Sequence, residues 1–240
     1  DASAMAGLPE LFPDLGEAWI VANVVRYTGD SDLSDATSSE FTLRGNKCGS
    51  TAEYCLSVDG WDVYAATYVD SGTSKYNTSR ISYGSSWSAP MVSGGVALMA
   101  QAFPNHTPEQ LVDRILASAN NVWFTPDGNT TFTTHGASVK HGYHSTWGHG
   151  VPDFYAALSP ILTDANPAMA LYMGESIQSS EAQPFASSSI TSSTSFGDAI
   201  AAGLVGEVGY AYDALSGGFK YDMSTHVNMI NNTAPAINLS

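Results

Sequence analysis

The stretch Gly84-Ser85-Ser86-Trp87-Ser88-Ala89-Pro90 carries the most chemistry in this chain of 240 residues. A turn of small residues delivers a serine to the head of a long apolar run, Met91 to Phe103. The run predicts a helix. Pro90 fits it if it falls in the first turn, where its missing N–H has no helical partner. Ser86 then sits at a helix N-terminus, where backbone N–H groups and the helix dipole favour developing negative charge. A hydroxyl held there can attack an electrophilic carbon once a base takes its proton. Gly84, Ser85 and Ser86 form the turn, and the N–H of Ser86 is a candidate oxyanion donor. The plainer reading is that Ser85 and Ser86 only cap the helix.

Other chemistry-bearing residues are sparse. Cys48 and Cys55 lie close in sequence, without the two further ligands a zinc site needs. They fit a disulfide in an oxidising compartment, or two buried free thiols. Four of the six histidines, His135, His141, His144 and His149, fall within residues 124–150, and His106 follows the apolar run. Their spacing is irregular and no acidic residue recurs with them. They read as solvated loop histidines rather than a metal site. Asp30, Asp32 and Asp35 could hold calcium, although Asp/Ser loops are commonly just turns.

The elements that must position Ser86 follow from periodicity. Trp19 to Val25 is a short apolar, β-branched run suited to a buried strand of a parallel sheet. Tyr54 to Val58 and Trp61 to Tyr68 read as strands around an Asp59-Gly60 turn. Residues 1–18, 28–42 and 69–82 read as loops, and 124–150 as loop-like. After Ser86, Val92, Val96, Met99, Ala100 and Phe103 line one side. Gly94, Gly95, Ala97 and Leu98 leave the other sides almost as apolar, which predicts a helix buried all round. Thr107-Pro108-Glu109-Gln110 opens a second helix through a capping box. Its apolar face is Leu111, Val112, Ile115, Leu116 and Ala119.

Composition narrows the function classes. The net charge is −15, with only eight Lys plus Arg. Nucleic acid is therefore excluded as a partner, since phosphate binding needs clustered positive charge. The acidic balance suits a secreted soluble protein. No apolar run is long enough to span a bilayer. There is no leader at the start, so an exported chain is expected to have lost it already. After residue 162 the texture changes. Residues 176–195 are rich in Ser and Thr, like a linker, and a Gly/Tyr-containing alternation follows.

The residues after Ser86 extend the opening stretch into a longer pattern. Gly84-Ser85-Ser86-x-Ser88-x-Pro90-x-Val92-Ser93-Gly94 resembles the serine motif of the subtilisin-like proteases (subtilases). Ser85 stands where that family usually has Thr, and Ser88 where it usually has Ala. Gly148-x-Gly150-x-x-Asp153, followed by Ala157-Leu158, is similar to the family's closing segment. Two segments resemble an autotransporter-type bacterial subgroup: Gly7-Leu8-Pro9 through Phe12-Pro13-x-Leu15, and Cys48-Gly49-x-x-Ala52-x-x-Cys55-Leu56. The family's next Ala-Pro-Gly is Val58-Asp59-Gly60 here.

The resemblance implies an α/β, three-layer fold with a mostly parallel sheet. Residues 1–162 would be the C-terminal part of the catalytic domain. Residues 163–240 would be a linker and a small, β-containing extension. It implies a secreted or cell-surface bacterial serine endopeptidase that acts on protein or peptide substrates through an acyl-enzyme on Ser86. Ala6, Gly7, Leu8 and Pro9 would floor the pocket for the residue before the scissile bond, and Trp87 would wall the opposite side of the cleft. The family runs Asp, His, oxyanion Asn, then Ser. The first three are therefore expected upstream of Asp1, in the N-terminal half of the same protease, as a preceding segment or a separate chain. No cofactor is required, and calcium would be only structural. The alternative is a catalytically inactive subtilase-like binding or passenger module.

Overall fold

The apolar runs become the centre of a short sheet. β1 (Val21–Tyr27) lies between β2 (Phe41–Leu43) and β3 (Cys55–Asp59), parallel to β3 and antiparallel to β2. Within this computed structural model the described residues are 4–68, 76–133 and 138–162. Further on they are 170–172, 183–184, 190–193, 199–200, 202–222 and 227–230. Two units, Asp1–Ile161 and Leu162–Ser240, each hold their own contacts.

The three-stranded sheet is smaller than the mostly parallel sheet expected, and only one of its two ladders is parallel. The reason lies in residues 28–42. A 3-10 turn at Ser38–Glu40, closed by a capping box between Thr37 and Glu40, sends the chain back along β1 as β2. The N-terminal stretch read as a loop contains a short helix, α1 (Leu8–Leu11), and a 3-10 helix at Pro13–Ala18. Prolines in the first turn of each have no helical N–H to lose.

Helix α2 (Ser85–Ala102) packs against β1, β3, α3 (Pro108–Ala117) and α4 (Phe154–Leu158). It is not buried all round. Its buried residues are Ser88, Val92, Gly95 and Met99, one stripe of helical spacing, while Met91 and Leu98 are 38% and 58% exposed. Sheet and neighbouring helices cover only that stripe. Pro90 is also further in than expected. Because α2 begins at Ser85, Pro90 falls in the second turn and leaves the Ser86 carbonyl without the N–H four residues on. α3 forms as its sequence dictates. Gln110 N–H donates to Thr107 Oγ1, and Thr107 N–H donates to Gln110 Oε1.

Two polar stretches read as loops are strands. β4 (Val63–Tyr68) pairs with β5 (Tyr76–Ser82), and β6 (Gly128–Phe132) pairs with β7 (Val139–Tyr143), both antiparallel. In the second unit, β8 (Ala170–Tyr172), β9 (Gln183–Pro184), β11 (Val208–Tyr212) and β12 (Gly218–Asp222) form a sheet in the order β12-β11-β8-β9. β10 (Ile190–Ser193) runs parallel to β13 (Val227–Ile230). The β11–β12 turn is held by Asp213, whose Oδ1 accepts the N–H groups of Leu215 and Gly217.

Candidate active site

Ser86 owes its position to three small residues. Gly84 has φ +133, a backbone state that favours glycine. Its N–H donates to the Gly60 carbonyl at 2.9 Å, and its own carbonyl accepts from Trp87 N–H at 2.9 Å. Gly60 must be glycine for space, since a Cβ there would collide with Ser88 Oγ and lie 2.9 Å from the Gly84 carbonyl. Ser88 is fully buried, with its hydroxyl 3.5 Å from the Val58 carbonyl. The turn after β3 is thereby fastened to the turn before α2.

Ser86 emerges as the second residue of α2, exposed to solvent. The N–H groups of Ser85 and Ser86, at the start of the helix, have no carbonyl one turn earlier in the helix to bond and present partial positive charge beside it. Ser85 and Ser86 border a cavity of about 710 Å³. Its walls are Ala18, Ile20 and Ala22 from the sheet side, Ala89, Val92, Ser93 and Val96 of α2, and Pro108, Leu111 and Val112 of α3. Ala6, Gly7, Leu8, Pro9 and Trp87 are not among the residues that line it. Among the described residues no hydrogen bond joins the Ser86 hydroxyl to a histidine or carboxylate. Among the described residues, the serine has a helix terminus and a cavity, and no base bonded to it.

The region around Cys55 is closed instead. Cys48 and Cys55 form a disulfide, with Cα atoms 6.0 Å apart. The segment 144–150 is laced onto β3 and β1. His149 N–H donates to the Cys55 carbonyl at 2.8 Å, and Ser57 N–H donates to the Gly150 carbonyl at 2.8 Å. Ser57 Oγ donates to the Trp147 carbonyl at 2.9 Å, and Asn23 Nδ2 donates to the Thr146 carbonyl at 3.1 Å. Gly148 and Gly150 have φ +61 and +108, and a Cβ on either would collide with the carbonyl of Cys55 or Asn120. Asp153 caps α4 by accepting Ala156 N–H at 2.8 Å.

The histidines correct the sequence reading. His149 is fully buried, its Nδ1 2.9 Å from His141 Nδ1 and its Nε2 2.9 Å from the Glu53 carbonyl. His141 Nε2 lies 3.0 Å from the Ala119 carbonyl. Burial pushes the His149 pKa down to about 4, and the His141 ring beside it adds to the shift. Burial also lowers His141. The pair binds β7 to β3 and to the end of α3, so it is structural. His144 lies 3.8 Å from Asp127, and His135 lies outside the described residues. Sequence spacing hid these partners because they are backbone carbonyls remote in the chain. Gly60 was legible only as a turn, and the cavity walls only as core.

Asp30 and Asp32 form successive turns, accepting the N–H groups of Asp32 and Ser34 at 2.9 Å each. Among the described residues no group of three or more His, Cys, Asp or Glu is arranged to hold a metal.

Comparison with known proteins bears on the same segments. An extracellular serine protease of Serratia marcescens is 28% identical over 134 residues, covering 50% of this chain and 12% of that protein. The chain thus spans a small part of that relative's length. The crystal structure of MycP1 from Mycobacterium smegmatis matches 61% of this chain and 43% of its own, at 21% identity and a TM-score of 0.31. The structure of MycP1 with the N-terminal propeptide removed matches 63% and 53%, at 23% identity and a TM-score of 0.31. The subtilase family model matches residues 6–150, which take in β1, β3, the Gly84–Ser86 turn, α2 and both Gly148 and Gly150. With more than half of its length in that match, and with the serine turn and the closing glycines inside it, the chain belongs to the subtilase family.

Proposed function

We infer that the chain is the nucleophile-bearing part of a secreted serine endopeptidase that cleaves peptide bonds through an acyl-enzyme on Ser86. The carrying observation is an exposed serine at the head of α2, bordering a cavity of about 710 Å³. Ser86 Oγ attacks the scissile carbonyl, and the tetrahedral oxyanion is held by the Ser86 N–H in the field of the α2 terminus. The acyl-enzyme is then released by water. The proton acceptor, its orienting carboxylate and the second oxyanion donor come from outside these residues, in the N-terminal half of the same protease. That half fills the cavity and covers Met91 and Leu98 of α2. Docking it draws Ala6–Pro9 and Trp87 into the substrate cleft. The name of the Serratia relative supports action outside the cell, and the loops around Leu8-Pro9 and Cys48–Cys55 support an autotransporter-type subgroup.

The test is fluorophosphonate labelling of the native protein, with peptide mapping and intact-mass analysis. Ser86 is labelled in protein that carries the N-terminal half, and Ser86→Ala abolishes both the label and peptide hydrolysis. Absence of label on that native protein makes the chain an inactive binding module instead. Hydrolysis that survives Ser86→Ala moves the nucleophile elsewhere.

A further inference from the structure

Beside the nucleophile turn lies a stack that peptide hydrolysis by itself does not need. Trp61 directly follows Gly60, and Tyr83 directly precedes Gly84, the two glycines joined by the hydrogen bond that fixes Ser86. The rings of Trp61 and Tyr83 stack at 4.2 Å. The Arg44 guanidinium lies over Trp61, 4.7 Å from the ring centroid. Arg44 is anchored through its backbone, its N–H donating to the Val24 carbonyl at 2.9 Å. Tyr83 is 64% exposed and Arg44 is also exposed.

The charges around the stack are matched unevenly. Asp62 pairs with Arg26 at 2.9 Å. Asp62 holds φ +57, an uncommon state for a residue other than glycine. Asp59 accepts Trp61 N–H through its own carboxylate. Its pKa is raised by burial and then lowered by the backbone N–H groups of Trp61 and Tyr27, while the neighbouring Asp62 raises it further and Arg26 draws it down. Among the described residues no ion pair engages Arg44. In a chain of 23 acidic and eight basic residues, an exposed guanidinium carried over an indole without a carboxylate is a site with spare binding capacity. A guanidinium presents a rigid fork of donors matched to a carboxylate.

We propose that Arg44, carried on the Trp61–Tyr83 stack, is a specificity residue that recognises an acidic side chain of the substrate polypeptide flanking the scissile bond. This rests on the assignment of Ser86 as nucleophile. Trp61 and Tyr83 flank the two tied glycines, so a peptide lying across Ser86 passes the stack. Charge elsewhere on the chain repels acidic peptides, and this local cation selects where along them the cut falls.

The test uses the full-length protease and fluorogenic peptides in which one Glu, or Gln in its place, is walked through each position around a fixed scissile bond. At one position the Glu peptide is cleaved about tenfold faster than its Gln counterpart at low salt, and the ratio falls as ionic strength rises. Arg44→Gln brings the ratio to unity, Arg44→Lys keeps part of it, and Arg44→Glu transfers the preference to Lys. A ratio of unity at every position in the wild type, or a ratio unchanged in Arg44→Gln, overturns the proposal. Labelling of Ser86 reports separately on the protease assignment. If Ser86 is not labelled, calorimetric titration with the same peptides decides. Tighter binding of the Glu peptide, lost in Arg44→Gln, sustains the site, and equal binding in the wild type removes it.

Discussion

The surroundings of Cys55 and of Ser86 follow opposite plans, although β3 and α2 touch. Around Cys55 a disulfide, two glycines with no room for a side chain and a run of backbone hydrogen bonds leave nothing to add. Around Ser86 there is a cavity, an exposed hydroxyl and apolar side chains in solvent. Helix α2 belongs to both. Gly95 abuts the Phe154 ring, whereas a Cβ on its neighbour Gly94 would meet nothing within 4 Å. One region is closed by its own contacts, and the other presents a cavity and exposed apolar side chains.

The contrast can be broken from the scaffold side first. Gly148→Ala forces a Cβ into the Cys55 carbonyl and strains a positive φ. A loss of about 3 kcal/mol is expected, read from the urea midpoint at unchanged slope. Replacing both Cys48 and Cys55 by Ala lowers stability by about 2.5 kcal/mol, the chain entropy of so short a closed loop. Reducing agent then no longer shifts the melting temperature. Titrating the buried imidazole comes next. His149 has a pKa of about 4 when folded, against about 6.5 in the unfolded chain. The unfolded state takes up the proton first. Stability is therefore full above about pH 6.5 and falls as the pH drops towards about 4, with a slope on the order of 1 kcal/mol per pH unit. Thermal melts across that window show the slope, and His149→Gln flattens it whatever its effect on stability at neutral pH. The smallest effects are the sharpest comparison. Gly95→Ala costs about 1 kcal/mol by displacing the Phe154 ring. Gly94→Ala gains about 0.5–1 kcal/mol from helix propensity alone. Equal effects from the two would erase the distinction between the faces of α2.

Legibility in the sequence tracks how local the determining contacts are. The caps of α3 lie within four residues, so Thr107 and Gln110 announced them. β1 and β3 were readable because their apolar runs are continuous. β5 (Tyr76–Ser82) and β7 (Val139–Tyr143) are polar strands whose partners, rather than their own alternation, make them strands. The burial of His149 depends on Glu53 and Cys55, far upstream, and no spacing rule reports that. The apolar character of α2 was read correctly, but burial is a property of what covers a helix, and this chain covers one stripe. Ser86 was visible through its small-residue turn. The reason for Gly60 was not, because it is a close approach between two distant turns.

The bond from Asn23 to the Thr146 carbonyl spans 123 residues. At a synthesis rate of roughly 5–20 residues per second, Thr146 follows Asn23 by roughly 6–25 s. Strand β1, and α2 with its serine, are therefore made well before the segment that locks β3 behind them. Such long-range closure is slow to form and comes late in folding. The segment that locks β3 is thus made after the serine that β3 helps to position.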